Sequence, residues 1–548
     1  MRSTLVGLVE DARRYERTVV LLLLALLLAA GAYVRLAGIT QVGFANSDDF
    51  YYYRWAYDWF RGLTYTQGSY RLAIPFFGAV SIAVFGANDY AIHAFTACVG
   101  VVNVLLAYFV VRALAAPRWL ALAVCFVHGL SRRVVEFDRT EPTTALTEFF
   151  FLMAVLLFVQ SLRSQEKQGS GPRQLLLLAA SGLSLCVAGH THWDMAAHAV
   201  SLMAFLLFYD SMTRFSLGWW LAKAATFSAA FFAPILAGMC YYGPQQVLNG
   251  IMFGKYILQL TQLDSLQQLG FFPALAYIYQ RVIVGPVAAS VLSVLFLLAL
   301  PLALLALRDA LRQRMSGRPA QGDELLLHLP LALTLVYTLS LTVLRINTEF
   351  RQPQHLSPLV LLFVGGWLAR GLERMARWPK ARLAAAVLIP LVVVLQMDPR
   401  QVFTDRFRQV SVYRTLNNVL AGRVDGMRRL LIAPYTVLDC RYQVLTPPSY
   451  FVKDDVDHIF EYTDDLPLDA QLRKHRIKYV AFANGLTHKE SGNFVGVRAT
   501  LGKVYGLAPE AYSESREREL FDRALAERGA QTLYRDADVA IYELEDRP

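Results

Sequence analysis

The sequence has few charged residues for its size. Asp, Glu, Lys and Arg make up 18% of the 548 residues, whereas ordinary soluble chains carry roughly 25%. Hydrophobic residues make up 55% of the chain and occur in long runs. This composition excludes a disordered chain, a fibrous protein and a series of soluble domains. We therefore predict that most of the chain is a polytopic membrane protein.

Cysteine is also scarce, and its spacing shows no metal-binding or disulfide pattern. Of the five cysteines, four fall in apolar runs and Cys440 stands alone. The polar tail has no Gly-rich phosphate loop and no nucleophile elbow. No internal repeat is visible, which weakens the case for a transporter built from inverted repeats.

The net charge of +10 does not indicate nucleic-acid binding, because no basic stripe is interleaved with base-stacking aromatics in a soluble segment. In a membrane protein, an excess of Lys and Arg mostly marks the cytoplasmic loops. The loops at 308–325 and 373–382 are dense in these residues. We therefore expect these loops and the N-terminus to be cytoplasmic.

About eleven apolar stretches approach the length that crosses a bilayer. A long leader with acidic residues precedes the first stretch, and many other apolar stretches follow it. We therefore interpret the first stretch as an uncleaved helix rather than a cleaved signal peptide. The stretch 72–85 is short and interrupted by Pro and Gly, and we expect a juxtamembrane or half-inserted helix there. The predicted spans lie near 19–34, 90–111, 119–131, 143–162, 174–189, 195–209, 219–241, 286–307, 326–344, 357–372 and 383–397.

The odd number of spans places the polar tail outside. The tail contains strand-like pieces (LLIAPYTVL, KYVAFA, VAIYELE) and helix-like pieces (LDAQLRKHR, PEAYSESRERELFDRALAERG). We predict a membrane domain at 1–397 and an extracytoplasmic domain at 398–548. The predicted fold class is mainly α, a polytopic membrane helical bundle with a small C-terminal extracytoplasmic α/β domain.

Asp48 and Asp49 form an acidic pair in the first outer loop, GFANSDDFYYYRWAYDWFRG. They open an aromatic-rich amphipathic stretch of the kind that the membrane–water interface favours. Two interpretations remain open. The pair either complements the dipole of an interfacial helix or is catalytic, with one carboxylate as general base and the other supporting it.

Mixed charges fill the second outer loop, SRRVVEFDRTEP. One interpretation is a set of surface ion pairs, which contribute little energy. In the other, an arginine binds a lipid phosphate, which its forked guanidinium suits, while a carboxylate faces a substrate hydroxyl or a metal. The residues concerned are Arg132, Arg133, Glu136, Asp138, Arg139 and Glu141.

A third cluster, GHTHWDMAAH, contains His190, His192, Asp194 and His198. The spacing of its histidines is compatible with a metal site, but no fourth ligand is obvious. A substrate contact and ordinary hydrogen bonding remain as alternatives.

The segment LRINTEFRQPQHLSP contains Arg351 and His355 immediately before a span. These cations either anchor to lipid headgroups or bind a phosphate. The long outer loop 242–285 carries Lys255, and such a loop could cover a cavity that faces the lipid.

The order of these features resembles the GT-C superfamily of membrane glycosyltransferases, which includes dolichyl-phosphate-mannose protein mannosyltransferases and the bacterial aminoarabinose lipid A transferase. The matching segments are SDDFYYYRWAYDWFRG, LAIPFFGAVSIAVFG, RTEPTTALTEFFFLMAVLLF and FRQPQHLSPLVLLF. The resemblance implies an inverting glycosyltransferase. It would move a sugar from a polyprenyl-phosphate donor to a hydroxyl of a lipid, glycan or protein at the outer face of the membrane.

The resemblance also implies roles for particular residues. Asp48 falls on the family's catalytic acid, Asp49 on the neighbouring acidic position and Glu141 on the second acidic position. Arg351 matches the basic residue that precedes a Pro-containing span. The other candidate donor-phosphate or substrate contacts are Arg132, Arg139, His192, Lys255 and His355.

The same loops resemble the catalytic subunit of oligosaccharyltransferases, whose second acidic loop binds a divalent metal. That likeness implies a Mg²⁺ or Mn²⁺ site at Asp48, Asp138 and Glu141, so metal dependence stays open. The tail contains no WWDYG motif, which argues against en bloc transfer of a glycan to asparagine.

A transporter or lipid flippase is the remaining alternative. It would carry ionisable residues near the middle of the membrane or discontinuous helices, whereas the acidic residues here cluster at outer loops. We expect a multi-pass enzyme of the bacterial inner membrane with a cytoplasmic N-terminus and a periplasmic tail. Its expected partners are a polyprenyl-phosphate-linked sugar, an acceptor and membrane lipids, and we expect no nucleic acid.

Overall fold

The structure is a computed structural model. It describes residues 2–43, 47–63, 71–168, 171–245, 247–248, 269–344 and 352–374. Beyond these it describes 391, 393–396, 415, 419–420, 423, 429–433, 477–483, 525–526, 529–535 and 539–545.

In the described ranges of the membrane region, all regular secondary structure is helical. Short 3-10 helices occupy Ile39–Gln41, Trp193–Met195 and Gln352–Leu356. The α-helices are α1 (Arg2–Leu36), α2 (Ser47–Phe60), α3 (Ala73–Phe85), α4 (Ala91–Ala113), α5 (Arg118–Gly129), α6 (Arg132–Thr140), α7 (Pro142–Gln168), α8 (Pro172–Thr191), α9 (Ala196–Met212), α10 (Leu217–Tyr242), α11 (Phe271–Ile283), α12 (Val291–Met315), α13 (Gly322–Leu326), α14 (Leu329–Val343) and α15 (Ser357–Arg374).

Eight helical segments within the described residues are long and apolar enough to cross a bilayer. They comprise α1, α4, α7, α8, α10, α12, the α13–α14 segment and α15, and each coincides with a predicted span. The shorter apolar helices α5 and α9 coincide with two more. The predicted span at 383–397 lies largely outside the described residues. The protein is therefore an integral membrane protein, and eleven spans stays a prediction.

Apolar runs form helices here because a backbone in hydrocarbon must satisfy its own hydrogen bonds. Helix α7 lies at the centre and packs against α4 and α8. Its Phe151, Leu152 and Phe158 are completely buried. Helix α10 lies at the periphery, where Phe232 and Leu236 are more than half exposed. Such side chains suit contact with lipid rather than with water.

Helices α2 and α3 pack together as an outer pair. Helix α3 has 13 residues, about 20 Å at 1.5 Å per residue, which is too short for a span of about 30 Å. The prediction of a juxtamembrane or half-inserted helix at 72–85 is consistent with that length. A Cβ on Gly78 would lie 2.5 Å from the Cβ of Ala56 on α2, so a larger residue at position 78 would push the two helices apart.

A polar cluster joins α7, α8, α9 and α10 at the ends that are predicted to be cytoplasmic. Lys223 forms a buried ion pair with Asp210 and donates to Gln165 Oε1 at 3.1 Å. Gln174 Nε2 donates to the same oxygen at 2.8 Å, and Gln174 Oε1 accepts a hydrogen bond from Trp219 Nε1. These contacts therefore hold the four helices together at that end.

The tail contains a mixed four-stranded sheet with strand order β1-β2-β4-β3. The strands are β1 (Arg429–Ala433), β2 (Ile477–Ala483), β3 (Gln531–Arg535) and β4 (Val539–Glu543). Strands β1 and β2 are parallel, and β4 pairs antiparallel with both β2 and β3. The three predicted strands are confirmed, and β3 was not predicted. The predicted tail helices lie mostly outside the described residues, and the domain boundary at 397/398 stays a prediction.

Candidate active site

The predicted catalytic pair lies in the first turn of α2. Asp48 and Asp49 follow Ser47, where the helix begins, and their side chains lie outside the described part of the structure. Further along, Tyr53 and Ala56 are buried against α3 and α4. The position of the pair on the protein is therefore set by how α2 packs on these two helices.

Glu141 lies at the junction of α6 and α7. Its backbone N–H donates to Phe137 O at 2.8 Å, and its carbonyl accepts from Thr144 N at 3.0 Å. Pro142 begins α7, as expected for the first position of a helix, where the missing N–H costs nothing. Glu141 is 7% exposed, so this carboxyl group is mostly enclosed.

Asp138 lies on α6, and both of its carboxylate oxygens accept hydrogen bonds from protein groups. Arg35 Nε donates to Oδ2 at 2.7 Å, and Gln354 Nε2 donates to Oδ1 at 3.0 Å. A Cβ on Gly100 would lie 2.5 Å from Oδ2, so α4 needs a glycine where this carboxylate approaches it. Asp138 is 1% exposed.

Gln354 connects Asp138 to a second buried carboxylate. The same Nε2 donates to Glu148 Oε2 at 2.8 Å, and Glu148 Oε1 lies 2.8 Å from His128 Nε2. His128 Nδ1 lies 2.6 Å from the hydroxyl of Ser357. The five side chains Arg35, Asp138, Gln354, Glu148 and His128 are at most 1% exposed, and we call them the buried carboxylate network.

Burial raises the pKa of Asp138 to about 6. The Arg35 charge acts in the opposite direction, and the nearby Glu148 charge adds to the rise. Desolvation outweighs the ion pair because water is excluded from both partners.

Arg139 caps the C-terminal end of α1. Its Nη1 donates to the carbonyl oxygens of Val34, Arg35 and Ala37 at 3.2, 2.7 and 2.9 Å. These carbonyls lie at the end of the helix, where no backbone N–H follows to pair with them. Arg139 is 1% exposed. Arg139 therefore stabilises the end of α1. Its predicted binding of a donor phosphate stays a prediction.

The loop between α8 and α9 holds an imidazole–carboxylate pair. His192 Nδ1 donates to Asp194 Oδ1 at 2.5 Å, and Tyr337 OH donates to the other oxygen, Oδ2. Burial would raise the pKa of Asp194, but the His192 charge and the two hydrogen bonds hold it below the usual value. Asp194 is therefore an ionised carboxylate at neutral pH.

His198 and His355 form a second pair beside this one. Their Nε2 atoms lie 2.9 Å apart, so one N–H donates to the other nitrogen. The ring of Tyr337 stacks on His198 at 4.9 Å between centroids. His355 is 1% exposed and adjoins Gln354 in the same 3-10 helix. That helix therefore contacts the buried carboxylate network and the histidine pair together.

The remaining candidates are not brought into one cluster by the described contacts. Arg132 is half-buried on α6, and the neighbouring Arg133 donates to Gly285 O at 3.0 Å. Arg351 and Lys255 lie outside the described residues. Their predicted roles in binding substrate stay predictions.

Metal binding finds limited support in these contacts. In the described part of the chain, no group of three His, Cys, Asp or Glu side chains is arranged to hold a metal ion. Asp138, one of the three predicted ligands, uses both oxygens for Arg35 and Gln354. The Asp48 side chain lies outside the described part of the structure, and the metal site at Asp48, Asp138 and Glu141 stays a prediction.

Sequence reasoning missed Arg35, His128, Glu148, Tyr337 and Gln354. Arg35 directly follows the predicted first span at 19–34, a position that is also typical of a residue at the membrane surface. Glu148 did carry a signal, because an ionisable residue inside an apolar helix is rare and usually has a partner. The partner itself, Gln354, lies 206 positions away and has no local pattern that marks it.

Comparison with known proteins identifies the fold. No protein-family model matches the chain, and no curated protein matches it in sequence. Solved structures do match. The oligosaccharyltransferase of Archaeoglobus fulgidus, solved with Zn and sulfate, has a TM-score of 0.55 and 13% identity over 89% of this chain and 70% of that chain.

ArnT from Cupriavidus metallidurans, solved with undecaprenyl phosphate, is similar over nearly the whole length of both chains. Its TM-score is 0.53 at 12% identity, and the match covers 94% of this chain and 97% of that chain. Both proteins are glycosyltransferases of the GT-C type. The chain therefore has the GT-C fold, which confirms the fold that the sequence resemblance implies.

Proposed function

We propose that this GT-C-fold protein is an inverting glycosyltransferase that moves a sugar from a polyprenyl-phosphate donor to a hydroxyl acceptor at the outer face of the membrane. The observation that carries the proposal is the likeness to ArnT, bound to undecaprenyl phosphate, over 94% of the chain. The acidic pair at the start of α2 and the enclosed Glu141 supply carboxylates at the same end of the bundle.

In this proposal Asp48 takes the proton of the acceptor hydroxyl, and Asp49 supports it. The hydroxyl oxygen attacks the anomeric carbon, and the bond from that carbon to the phosphate oxygen breaks. The electron pair leaves with the phosphate, so direct displacement inverts the anomeric centre. A positioned base contributes about 10²- to 10⁴-fold in rate.

Glu141 is proposed as a second acidic contact to the sugar or the acceptor. Arg351 and Lys255 are the proposed cations for the donor phosphate, and Arg132 and His355 are further proposed contacts to the donor or acceptor. The described contacts of Asp138 do not suit a metal ligand, so no step in this mechanism passes through a metal. A Mg²⁺ or Mn²⁺ requirement would have to arise from Asp48 and Glu141.

The test is transfer from a radiolabelled polyprenyl-phosphate sugar by protein reconstituted in liposomes. We expect Asp48→Asn to lose at least about 100-fold in rate, and Asp49→Asn and Glu141→Gln to lose less. Asp58→Asn is the matched control, because it makes the same chemical change later on α2, away from the predicted acidic pair. Wild-type rates for Asp48→Asn would refute the assignment.

A chelator arm in the same assay decides the metal question. Unchanged transfer in excess EDTA supports the metal-free reaction. Loss of transfer that returns with Mg²⁺ or Mn²⁺ supports the oligosaccharyltransferase-like alternative.

That alternative is favoured by the TM-score of 0.55 with the Archaeoglobus fulgidus oligosaccharyltransferase. It differs in the acceptor, since such an enzyme would transfer a complete glycan to an amide nitrogen. Incubation with a lipid-linked oligosaccharide and a peptide acceptor would separate the two, because only the alternative yields a peptide with the complete glycan on an asparagine.

We further propose that the protein lies in a bacterial inner membrane with its N-terminus cytoplasmic and its tail periplasmic. Cys440 in the tail offers a direct test once the other four cysteines are replaced. A membrane-impermeant maleimide should label it in spheroplasts without lysis. Labelling only after lysis would reverse the orientation.

A further inference from the structure

The imidazole ring of His192 is hydrogen-bonded to the protein through one of its two nitrogens. Its Nδ1 donates to Asp194 Oδ1, and Tyr337 fixes the second carboxylate oxygen. Among the described residues, Nε2 has no protein partner. The His192 side chain is 19% exposed, and that of Asp194 is 10% exposed. The ring is therefore oriented, and its second nitrogen stays available.

The pair also needs a positive charge. Asp194 is mostly enclosed, and in the described part of the chain no Lys or Arg forms an ion pair with it. An ionised carboxylate without water requires a nearby cation. When the His192 ring carries both protons, Nδ1–H faces Asp194 and Nε2–H is a second donor.

The position of His192 along the bundle follows from a contact between α7 and α8. The hydroxyls of Thr147 and Thr191 lie 2.6 Å apart, and His192 is the next residue after Thr191. Thr147 is six residues beyond Glu141, which corresponds to about 9 Å along α7 toward the membrane interior.

A lipid-linked sugar has a fixed order along the same direction. Its polyprenyl chain lies in the bilayer, the phosphate follows, and the sugar and the acceptor lie outermost. A group about 9 Å inward of Glu141 is therefore at a depth that suits the phosphate better than the acceptor. The depth of the imidazole and its charge point to the same part of the donor.

We propose that the imidazolium of His192, oriented by Asp194 and Tyr337, donates a hydrogen bond from Nε2 to the phosphate of the polyprenyl-phosphate donor. This inference rests on the proposed function and on its orientation in the membrane. Asp194 and Tyr337 act through His192 and are positioning residues.

The contact favours the reaction as well as binding. When the bond between the anomeric carbon and the phosphate oxygen breaks, the phosphate changes from a diester with one negative charge to a monoester with two. The acceptor's proton goes to the base, and the electron pair goes to the phosphate oxygen. An N–H donor already aimed at the phosphate stabilises the charge that develops there.

The test measures binding of a short-chain polyprenyl phosphate to the purified full-length protein by native mass spectrometry, with the matching polyprenol as second ligand. The amide of His192→Asn can still donate to Asp194 but cannot reach the phosphate. We expect its affinity for the phosphate to fall about tenfold, as for loss of one hydrogen bond to a charged group. Its affinity for polyprenol should stay unchanged.

Two further variants serve as checks. Asp194→Asn should weaken binding of the phosphate in the same direction, because it removes the charge that favours the imidazolium. His328→Asn, which replaces a buried histidine between two backbone carbonyls at the other end of the bundle, should bind both ligands as the wild type does.

The outcomes separate this inference from the proposed function. If the wild type does not prefer the phosphate over polyprenol, the proposed function fails. If the wild type prefers it and His192→Asn binds it within twofold, only the role of His192 is refuted. Equal losses for phosphate and polyprenol in His192→Asn would show a structural role and would also refute the inference.

Discussion

Arg35 Nε donates to Asp138 Oδ2 at 2.7 Å, and neither side chain is more than 1% exposed. The bond joins the C-terminal end of α1 to α6 through two residues that are 103 positions apart. Asp138 is three positions before Glu141 in the sequence. Each charge depends on the other because neither reaches water.

Arg35→Met should destabilise the protein strongly, since removal of one partner of a buried ion pair costs about 3–5 kcal/mol. The expected readout is a lower Tm for the purified protein in detergent. The double variant Arg35→Met with Asp138→Leu should recover much of the loss, because it removes both charges. If Arg35→Met has the same Tm as the wild type, the ion pair between Arg35 and Asp138 does not stabilise the protein as expected.

Gln354→Glu should be more harmful than Gln354→Met. The methionine removes the amide that bridges Asp138 and Glu148, whereas the glutamate brings a third carboxylate against them, and like charges repel in a dry site. We expect the lower Tm for Gln354→Glu at neutral pH and a smaller difference between the variants in acid. Equal Tm values at neutral pH would count against the bridging role of the amide.

Gly78→Val should slow transfer by displacing α2. The added side chain would meet Ala56, and a shift of about 1 Å in a catalytic group can cost on the order of 100-fold in rate. Ala83→Val, at an exposed position on the same helix, is the matched control and should keep the wild-type rate. If both variants transfer sugar normally, the packing of α2 on α3 does not set the position of the acidic pair.

Asp138 should make stability depend on pH. Its pKa is raised to about 6 from an ordinary value of about 3.9, so folding favours its protonated form. The contribution of Asp138 to the free energy of unfolding is fully present below about pH 4, and it is lost as the pH rises through about 6. We expect Tm to fall over this interval more in the wild type than in Asp138→Asn. Parallel profiles would mean that Asp138 has an ordinary pKa.

Much of the membrane domain could be predicted from the sequence, because a bilayer imposes helices of a fixed length and apolar character. The segments α4, α7 and α10 coincide with apolar runs for this reason. Three tail strands were predicted from short apolar pieces. Strand β3 was missed because three of its five residues are exposed, so it has no apolar run or regular alternation.

The candidate site was less predictable than the fold. Sequence reasoning found the outer loops that carry Asp138 and His355 but not the partners of these residues. An arginine at the end of a span has the same local pattern whether it faces headgroups or, as Arg35 does, a buried carboxylate. The contacts that decide between these cases join positions more than one hundred residues apart.

The polar clusters at the two ends of the bundle have a consequence for how the protein fits its membrane. Helices α7 to α10 are joined at one end through Gln165, Gln174, Asp210 and Lys223. At the opposite end, α7 contacts α8 through Thr147 and Thr191. Because α7 and α8 are joined at both of their ends, they resist sliding past each other when the bilayer becomes thicker or thinner. Hydrophobic mismatch must then be absorbed by tilt of the whole bundle or by stretching of the surrounding lipid.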